Sequence, residues 1–522
     1  MTSIALSYDD VAATYAKIAV PKIGKDQVAQ NRRRVESAAL DLFTKQGFHG
    51  TRTREIGQKI GLSSGIIYTY FPSKEAIFAS LAERYRTGNA EWLKDTVTKL
   101  KRPLAKDDLT SFAAAIQAQM RDAPQYLLML LSDVIEFKNR HFLKSFRNVP
   151  QQLRELLGDT LERVRSEPGW RGEDPAFVLA SLYLYFFTYA LVEKHMRGER
   201  HLGLSDNQAI ARLVDLLSHG LWGSTPEVPH GKVKESREYF AKLQVVHKMH
   251  RERVEYLRFL SGRLWQSPPD VLPTRADERD RDSGRHEPGR REPIAILFLP
   301  AMPLDRIDDN QLRLEAAALD LFTRQGFHGT NIRDIAARAG ISQGAIYKYY
   351  SGKEAIFEGL VRSYRQCMGN FLTRVVQSLE QPFSRDDLRL FAAAIRSTVY
   401  EDAAYWLLMY IDVIEFNNRH FANLFHDIPR QFRRLLGPKA GAARRLPGWC
   451  GLDPGLAMAI IYLYLCTYFA IERLMHGERH LDVGDDEAIE RLIDVFLSGI
   501  WRRPRATAPA SAPTAQRRKS KR

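Results

Sequence analysis

The 522 residues hold only three cysteines, Cys367, Cys450 and Cys466, all in the second half. Three thiols without close pairing build neither a disulfide framework nor a metal knuckle, and they point to a reducing cytoplasm. Apolar runs long enough to span a bilayer are missing. FVLASLYLYFFTYALV (177–192) and LAMAIIYLYLCTYFAI (456–471) fall short of the ~20 residues a span needs, and Glu193-Lys194 and Glu472-Arg473 close them at once. Each is expected to be a helix buried in protein, with no membrane partner. At the start of the chain, Asp9 and Asp10 stand where a secretion signal would carry positive charge. Catalytic signatures are scarce too: there is no GxxxxGK[ST] loop, no glycine fingerprint behind a strand, no GxSxG and no HExxH. His141, His195 and His201 lack metal-ligand spacing. The expectation is a protein without metal, cofactor or catalytic residues, and therefore not an enzyme.

Positive charge is what the chain has in excess. Its 77 Lys and Arg outnumber 62 Asp and Glu, for a formal net charge of +15. Such a balance suggests a polyanionic partner, either nucleic acid or an acidic membrane surface. The length argues for more than one core, because single cores rarely grow past roughly 250–300 residues.

An internal repeat accounts for that length. AALDLFTKQGFHGT (38–51) returns as AALDLFTRQGFHGT (317–330), a shift of 279 positions. The same shift superposes DVIEFKNRHF (133–142) on DVIEFNNRHF (412–421), PGW (168–170) on PGW (447–449), and GERHL (198–202) on GERHL (477–481). No gap is needed from about residue 20 to 222, so the unit is a whole domain and the chain a tandem duplication. Within each unit the periodicity is helical. Val35, Ala38, Ala39, Leu42 and Phe43 form a stripe on a first helix that Gly47 or Gly50 should end. Further helices follow, punctuated at Pro103, Pro124, Pro150 and Pro168-Gly169. The fold class is all-α.

After each repeated phrase comes TRTREIGQKIGLSSGIIYTYFPSKEAIF (51–78) or TNIRDIAARAGISQGAIYKYYSGKEAIF (330–357). Thr51 and Thr330 sit where a side-chain oxygen can cap a short helix, with Ile56 or Ile335 turned inward. Gly61 or Gly340 supplies a positive-φ turn. Ser63 or Ser342 caps a second helix anchored by Ile67 or Ile346. This is a helix-turn-helix, whose second helix enters the major groove of duplex DNA. Organised this way, the chain divides into a first helix-turn-helix domain (20–75), a first helical regulatory domain (76–223), a linker (224–305) with an amphipathic helix at about 235–262, a second helix-turn-helix domain (306–354), a second regulatory domain (355–502) and a disordered basic tail (503–522).

These residues resemble the TetR family of bacterial transcriptional regulators. In the second copy Ala336, Ala339, Gly340, Ser342, Gly344, Tyr347, Tyr349, Lys353 and Glu354 keep the family's register; the first departs at Gly57 and Ile60, where alanine is preferred. The resemblance implies that Ser64, Gly65, Ile66 and Thr69, and Gln343, Gly344, Ala345 and Lys348, face the groove. It implies phosphate contacts from Tyr68, Tyr70 and Lys74, from Tyr347, Tyr349 and Lys353, and from the helix starts at Thr51-Arg52 and Thr330-Asn331. Gln343 could pair with adenine and Lys348 reach guanine. For Tyr68 and Tyr347 the alternative is packing between helices. The cations Arg32, Arg33, Arg34, Lys45, Arg52, Arg54 and Lys59 of the first copy read either as a phosphate footprint or as a solvated face.

Relatives of this kind pair as two-fold dimers through their last two helices, here about 174–197 with 206–221 and 453–476 with 485–500. One chain with both halves is expected to fold as an intramolecular pseudo-dimer on an imperfect palindromic operator of double-stranded DNA; a homodimer with four reading heads is the other arrangement. The family habit further implies a ligand-responsive repressor. A pocket for a small apolar, aromatic or acyl-type ligand is expected around Asp133, Glu136, Asn139, Tyr185 and Tyr189, and Asp412, Glu415, Asn418, Tyr464 and Tyr468, the alternative being core packing. A helical scaffold at a membrane surface is the remaining functional alternative.

Overall fold

A computed structural model describes residues 25–196, 201–220, 309–446, 448–475 and 479–499. The expected linker at 224–305, with its helix at 235–262, and the tail at 503–522 lie outside the described residues. Among the described residues all regular structure is helical. The first unit comprises α1 (Lys25–Gly50), α2 (Thr53–Ile60), α3 (Ser64–Tyr70), α4 (Lys74–Thr98), α5 (Lys106–Asp122), α6 (Pro124–Phe137), α7 (Val149–Arg165), α8 (Pro175–Lys194) and α9 (Asp206–His219). The second comprises α10 (Asp309–Gln325), α11 (Ile332–Ala339), α12 (Gln343–Ile346), α13 (Lys353–Ser378), α14 (Arg385–Glu401), α15 (Ala403–Glu415), α16 (Ile428–Leu436), α17 (Pro438–Arg444), α18 (Pro454–Leu474) and α19 (Asp485–Ser498). The unequal helix number comes from one glycine pair. Gly158 only kinks α7, whereas Gly437, followed by Pro438, separates α16 from α17.

Local chemistry sets the helix limits. The two apolar helices α8 and α18 each begin with proline at the first position, and the preceding Asp174 or Asp453 accepts a backbone N–H of the first turn. By length and composition both could cross a membrane, but 94% and 89% of their apolar windows is buried inside the protein. Gly326, at φ 71, follows the last residue of α10, and Gly47, at the same φ, kinks α1 three residues before its end. Helices α4 and α13 then run unbroken from the reading head into the regulatory domain. The expected boundaries at 75/76 and 354/355 fall in their first turns, so each head is joined to its body by a stiff rod.

The two units share one hydrophobic core. Helix α8 packs on α18 and α9 on α19. At the centre the rings of Tyr185 and Tyr464 stack 5.8 Å apart, and the backbones of Gly220 and Gly499 come so close that a Cβ on Gly220 would stand 2.4 Å from the Gly499 nitrogen. Val149 N donates to the His480 carbonyl at 3.1 Å, and Ile428 N donates to the His201 carbonyl at 3.1 Å, one bond made twice under the repeat. Nearer the heads α6 packs on α15, α1 on α15 and α10 on α6.

Candidate nucleic-acid interface

Each head is built around two residues with no exposure: Ile56 and Ile67 in the first, Ile335 and Ile346 in the second. Gly61 at φ 72 and Gly340 at φ 65 make the turn between the two short helices. Ser63 Oγ accepts Ile66 N–H at 3.4 Å and Ser342 Oγ accepts Ala345 N–H at 3.2 Å, which starts the reading helices α3 and α12. The helices differ in length. α3 continues to Tyr70, whereas α12 ends at Ile346 and tightens into turns in which Tyr349 N bonds the Ile346 carbonyl.

The outward surface of the first head carries Arg52, Gly65, Ile66, Tyr68 and Thr69, with Ser64 half-buried; Thr69 Oγ1 donates to the Ile66 carbonyl at 2.6 Å. The second presents Asn331, Gln343, Gly344, Tyr347 and Lys348, with Ala345 half-buried. Tyr68 at 51% and Tyr347 at 56% exposure stand clear of the helices they were alternatively expected to pack between.

Several expected phosphate ligands are instead spent inside the fold. Thr51 and Thr330 are 1% exposed and donate to the carbonyls of Gly47 and Gly326 at 2.8 Å, closing the loop after the first helix. The helix caps lie one residue later. Asn331 Oδ1 accepts Asp334 N–H at 2.9 Å, and at Arg52 the backbone N–H donates to Glu55 Oε2 at 2.9 Å. Lys74 Nζ donates to the carbonyls of Phe48 and Thr51, both at 2.7 Å, and lies 4.2 Å over the Phe48 ring. Lys353 repeats this with Phe327 and Thr330. Burial pushes both ammonium groups below the usual lysine range. Tyr70 is buried, its hydroxyl accepting Asn31 Nδ2 at 2.8 Å, and Tyr349 is half-buried against the core. The reason is common to all: loop carbonyls at a helix end need donors, and these side chains are nearest.

The basic face of the first head is similarly committed. Arg32 donates to the Tyr70 carbonyl at 2.7 Å and Arg34 to the Ile60 carbonyl at 2.8 Å, while Lys45 and Lys59 share Asp41. Arg33, Arg52 and Arg54 remain exposed. The departure at Gly57 has a steric cause: a Cβ there would stand 2.4 Å from the Leu62 carbonyl oxygen.

The heads touch each other. A Cβ on Gly50 would lie 2.7 Å from His328 Cβ, and one on Gly329 would lie 2.8 Å from His49 Cβ. Behind this contact Glu415 accepts the backbone N–H groups of Phe327 and His328 at 2.9 and 2.6 Å. Glu136 pairs with His49 Nε2 at 3.0 Å, which raises the His49 pKa.

The expected ligand residues take part in packing and hydrogen bonds among the described residues. Asp133 and Asp412, fully buried, hold the rings and backbone of His141 and His420. Asn139 and Asn418 adopt positive φ, and Asn139 Nδ2 donates to the Met475 carbonyl across the unit boundary. Tyr185 and Tyr464 stack on each other; Tyr189 and Tyr468 donate to Asp206 and Asp485. None of the ten lines the cleft of about 660 Å³ between α13 and α16, and Glu415 alone borders a smaller one. The larger cleft is walled by Arg362, Arg365, Met368, Phe425, Phe432 and Tyr462, among others. Sequence reasoning missed these; comparing the two copies position by position would have flagged Arg362, which falls on Glu83 under the 279-residue shift.

Two helix-turn-helix heads, each continuous through one long helix with an all-helical body, define the class of this protein. Residues 37–81 and 314–360 each match the family described as bacterial regulatory proteins, tetR family, so the chain carries two such domains in tandem. YerO of Bacillus subtilis, an uncharacterized HTH-type transcriptional regulator, is 27% identical over 132 residues, 25% of this chain and 46% of that protein. The HTH-type transcriptional regulator RutR of Escherichia coli is 43% identical over 54 residues, 10% of this chain and 26% of RutR. The chain thus spans less than half the length of either. The HTH-type transcriptional repressor Rv1474c of Mycobacterium tuberculosis is 24% identical over 207 residues, 39% of this chain and 98% of that repressor. The solved structure of the transcriptional regulator SCO4942 from Streptomyces coelicolor aligns over 35% of this chain and 96% of its own at 23% identity and a TM-score of 0.27.

Proposed function

We propose that this chain is a cytoplasmic, sequence-specific DNA-binding transcriptional regulator, a ligand-responsive repressor without catalytic activity, whose two heads read one operator as a covalent pseudo-dimer. One observation carries the reading: two exposed reading surfaces, Ile66-Tyr68-Thr69 and Gln343-Tyr347-Lys348, belong to units whose terminal helices bury each other within a single chain. The linear excess of positive charge supplies the non-specific attraction to phosphate. Arg52, Tyr68 and Tyr347 position the heads, and Gln343 and Lys348 offer the pairings that select adenine and guanine.

Ligand response is supported by the cleft in the second unit, whose volume lies in the range of small-molecule sites. Helix α13 forms one wall of that cleft, and at its first residue Lys353 grips the loop carbonyls of the reading head. A ligand that displaces α13 drags the head with it.

Selection of binding sites from random duplex DNA tests the proposal. The unequal surfaces predict an imperfect palindrome with different half-sites. Recovery of perfect inverted repeats only, or of no enriched site, overturns it. Mass in solution should correspond to one chain of 59.8 kDa per operator; two chains per operator would mean a conventional dimer with four heads.

A further inference from the structure

We infer that the cleft of the second unit, and not its counterpart in the first, holds one amphipathic carboxylate per chain, with the anionic head on Arg362 and Arg365 and the apolar body inside. The inference deepens the ligand-responsive reading and rests on it, but the binding step stands independently of DNA.

The two copies differ by a charge reversal. Under the 279-residue shift Arg362 falls on Glu83 and Arg365 on Arg86. In the first unit Arg86 Nε and Nη2 donate to the two oxygens of Glu83 at 2.9 and 2.5 Å, so that rim is electrically closed. In the second unit both rim positions are arginine and both are exposed. Among the described residues neither makes an ion pair within 4.0 Å. Glu358, one turn earlier on α13, lies by His420 instead, its Oε1 3.8 Å from Nε2. The His420 ring is itself held by Asp412, and Arg419 is engaged by Glu354.

The interior changes in the matching sense. Buried Asn89 is replaced by Met368, and Leu153 by Phe432. Met368, Leu372, Phe425, Phe432, Leu435 and Tyr462 give the cleft that the two arginines line an apolar wall, beside the polar Glu358, Gln366, His420 and Gln431. Planar guanidinium forks match a carboxylate bidentately and leave no such bond for an alcohol or an amine. Their methylene stems lie along apolar surface without penalty.

The test is titration calorimetry of the full chain with decanoate, decanol and decylamine, each below its micellar concentration. Decanoate should bind with one site per chain and at least tenfold more tightly than decanol or decylamine. Arg362→Glu, which rebuilds the closed rim of the first unit, and Arg365→Gln should each weaken decanoate at least tenfold while leaving decanol unchanged. Both arginines are exposed, and an unchanged thermal melt of each variant certifies its fold. Two sites per chain, equal affinity for decanol and decanoate, no decanoate binding, or indifference to both substitutions would overturn the inference. Gel shift on a selected duplex, run on the same preparations, separates the two proposals: a protein that binds DNA but no carboxylate refutes the cleft alone, and one that binds decanoate but no duplex refutes the regulator.

Discussion

Tyr185 of the first unit and Tyr464 of the second lie face to face, ring centroids 5.8 Å apart and planes 11° from parallel. Each residue falls on the other under the repeat, so the pair marks the approximate two-fold axis of the molecule. Truncating one ring opens a cavity at the centre of the α8–α18 contact. Tyr185→Ala should cost about 3 kcal/mol, in line with other large aromatic deletions. The double variant Tyr185→Ala/Tyr464→Ala should be less destabilised than the summed singles by about 0.5–1.5 kcal/mol, the worth of an aromatic pair. Urea melts of the four proteins decide it. Strict additivity would mean that the units unfold without feeling each other.

Acid should loosen the same boundary. His480, in the second unit, donates its Nδ1–H to the Phe146 carbonyl of the first at 2.8 Å, and its own N–H donates to Glu472. Burial holds its pKa down to about 4 against the usual 6.5. The unfolded chain therefore takes up this proton first. The contribution of neutral His480 is complete above pH ~6.5 and is lost as pH falls towards 4, with a total on the order of 3 kcal/mol. His195, also lowered to about 4 by burial, adds to the same limb. His49 acts in the opposite sense: its raised pKa stabilises below pH ~6.5 and loses effect as pH rises, but its 43% exposed side chain limits that to under about 1 kcal/mol. Stability measured from pH 7 to 4 should drop, and His480→Asn, which keeps a donor for Phe146, should flatten the drop. An unaltered acid limb would refute the assignment.

Lys353 and Arg52 should separate in salt dependence. Lys353 is consumed by two loop carbonyls, whereas Arg52 points outward from the start of α2. Lys353→Met should lower the melting temperature and weaken DNA binding at every salt concentration with the slope of log affinity against log salt unchanged. Arg52→Ala should leave stability within ~0.5 kcal/mol and reduce that slope by about 1, the loss of one phosphate contact. Anisotropy titrations on a selected duplex supply both readings. A slope change in Lys353→Met would return the lysine to the phosphate surface.

The repeat, the all-α class and the glycine-hinged helix pair were legible because each depends on residues close in sequence: Gly61, Gly340, Ser63 and Ser342 act within one or two turns. The roles of Lys74, Lys353, Thr51 and Tyr70 were not. A lysine and a buried carbonyl 23 to 26 positions away leave no local pattern, so the residue type within the motif suggested DNA where the geometry shows a loop clasp. The polar trio Asp133, Glu136 and Asn139 is ambiguous for a related reason, since buried polar side chains in an apolar helix look alike whether they cap a turn or bind a ligand. Arg362 shows the converse, being informative only when set against Glu83.

Gly57 gives a case in which rule and geometry differ in sign. Alanine in a short helix is ordinarily worth ~0.5–1 kcal/mol over glycine, so propensity alone expects Gly57→Ala to strengthen α2. The added Cβ would instead meet the Leu62 carbonyl oxygen at 2.4 Å and the Ile67 Cδ1 at 3.4 Å. Relief requires moving the turn, where Leu62 N–H bonds the Gly57 carbonyl at 2.9 Å, or Ile67, the anchor of the reading helix. Gly57→Ala should therefore destabilise the first head by about 1–3 kcal/mol, as overpacking does, and weaken the half-site it reads. In the second head Ala336 already fills this place at 4% exposure, and Ala336→Gly should cost the ordinary ~1 kcal/mol. Hydrogen exchange over residues 53–70 and 332–349 reports the two heads separately within one chain. Faster exchange in the first head of Gly57→Ala is the expected result, and slower exchange there would show that helix propensity outweighs the clash.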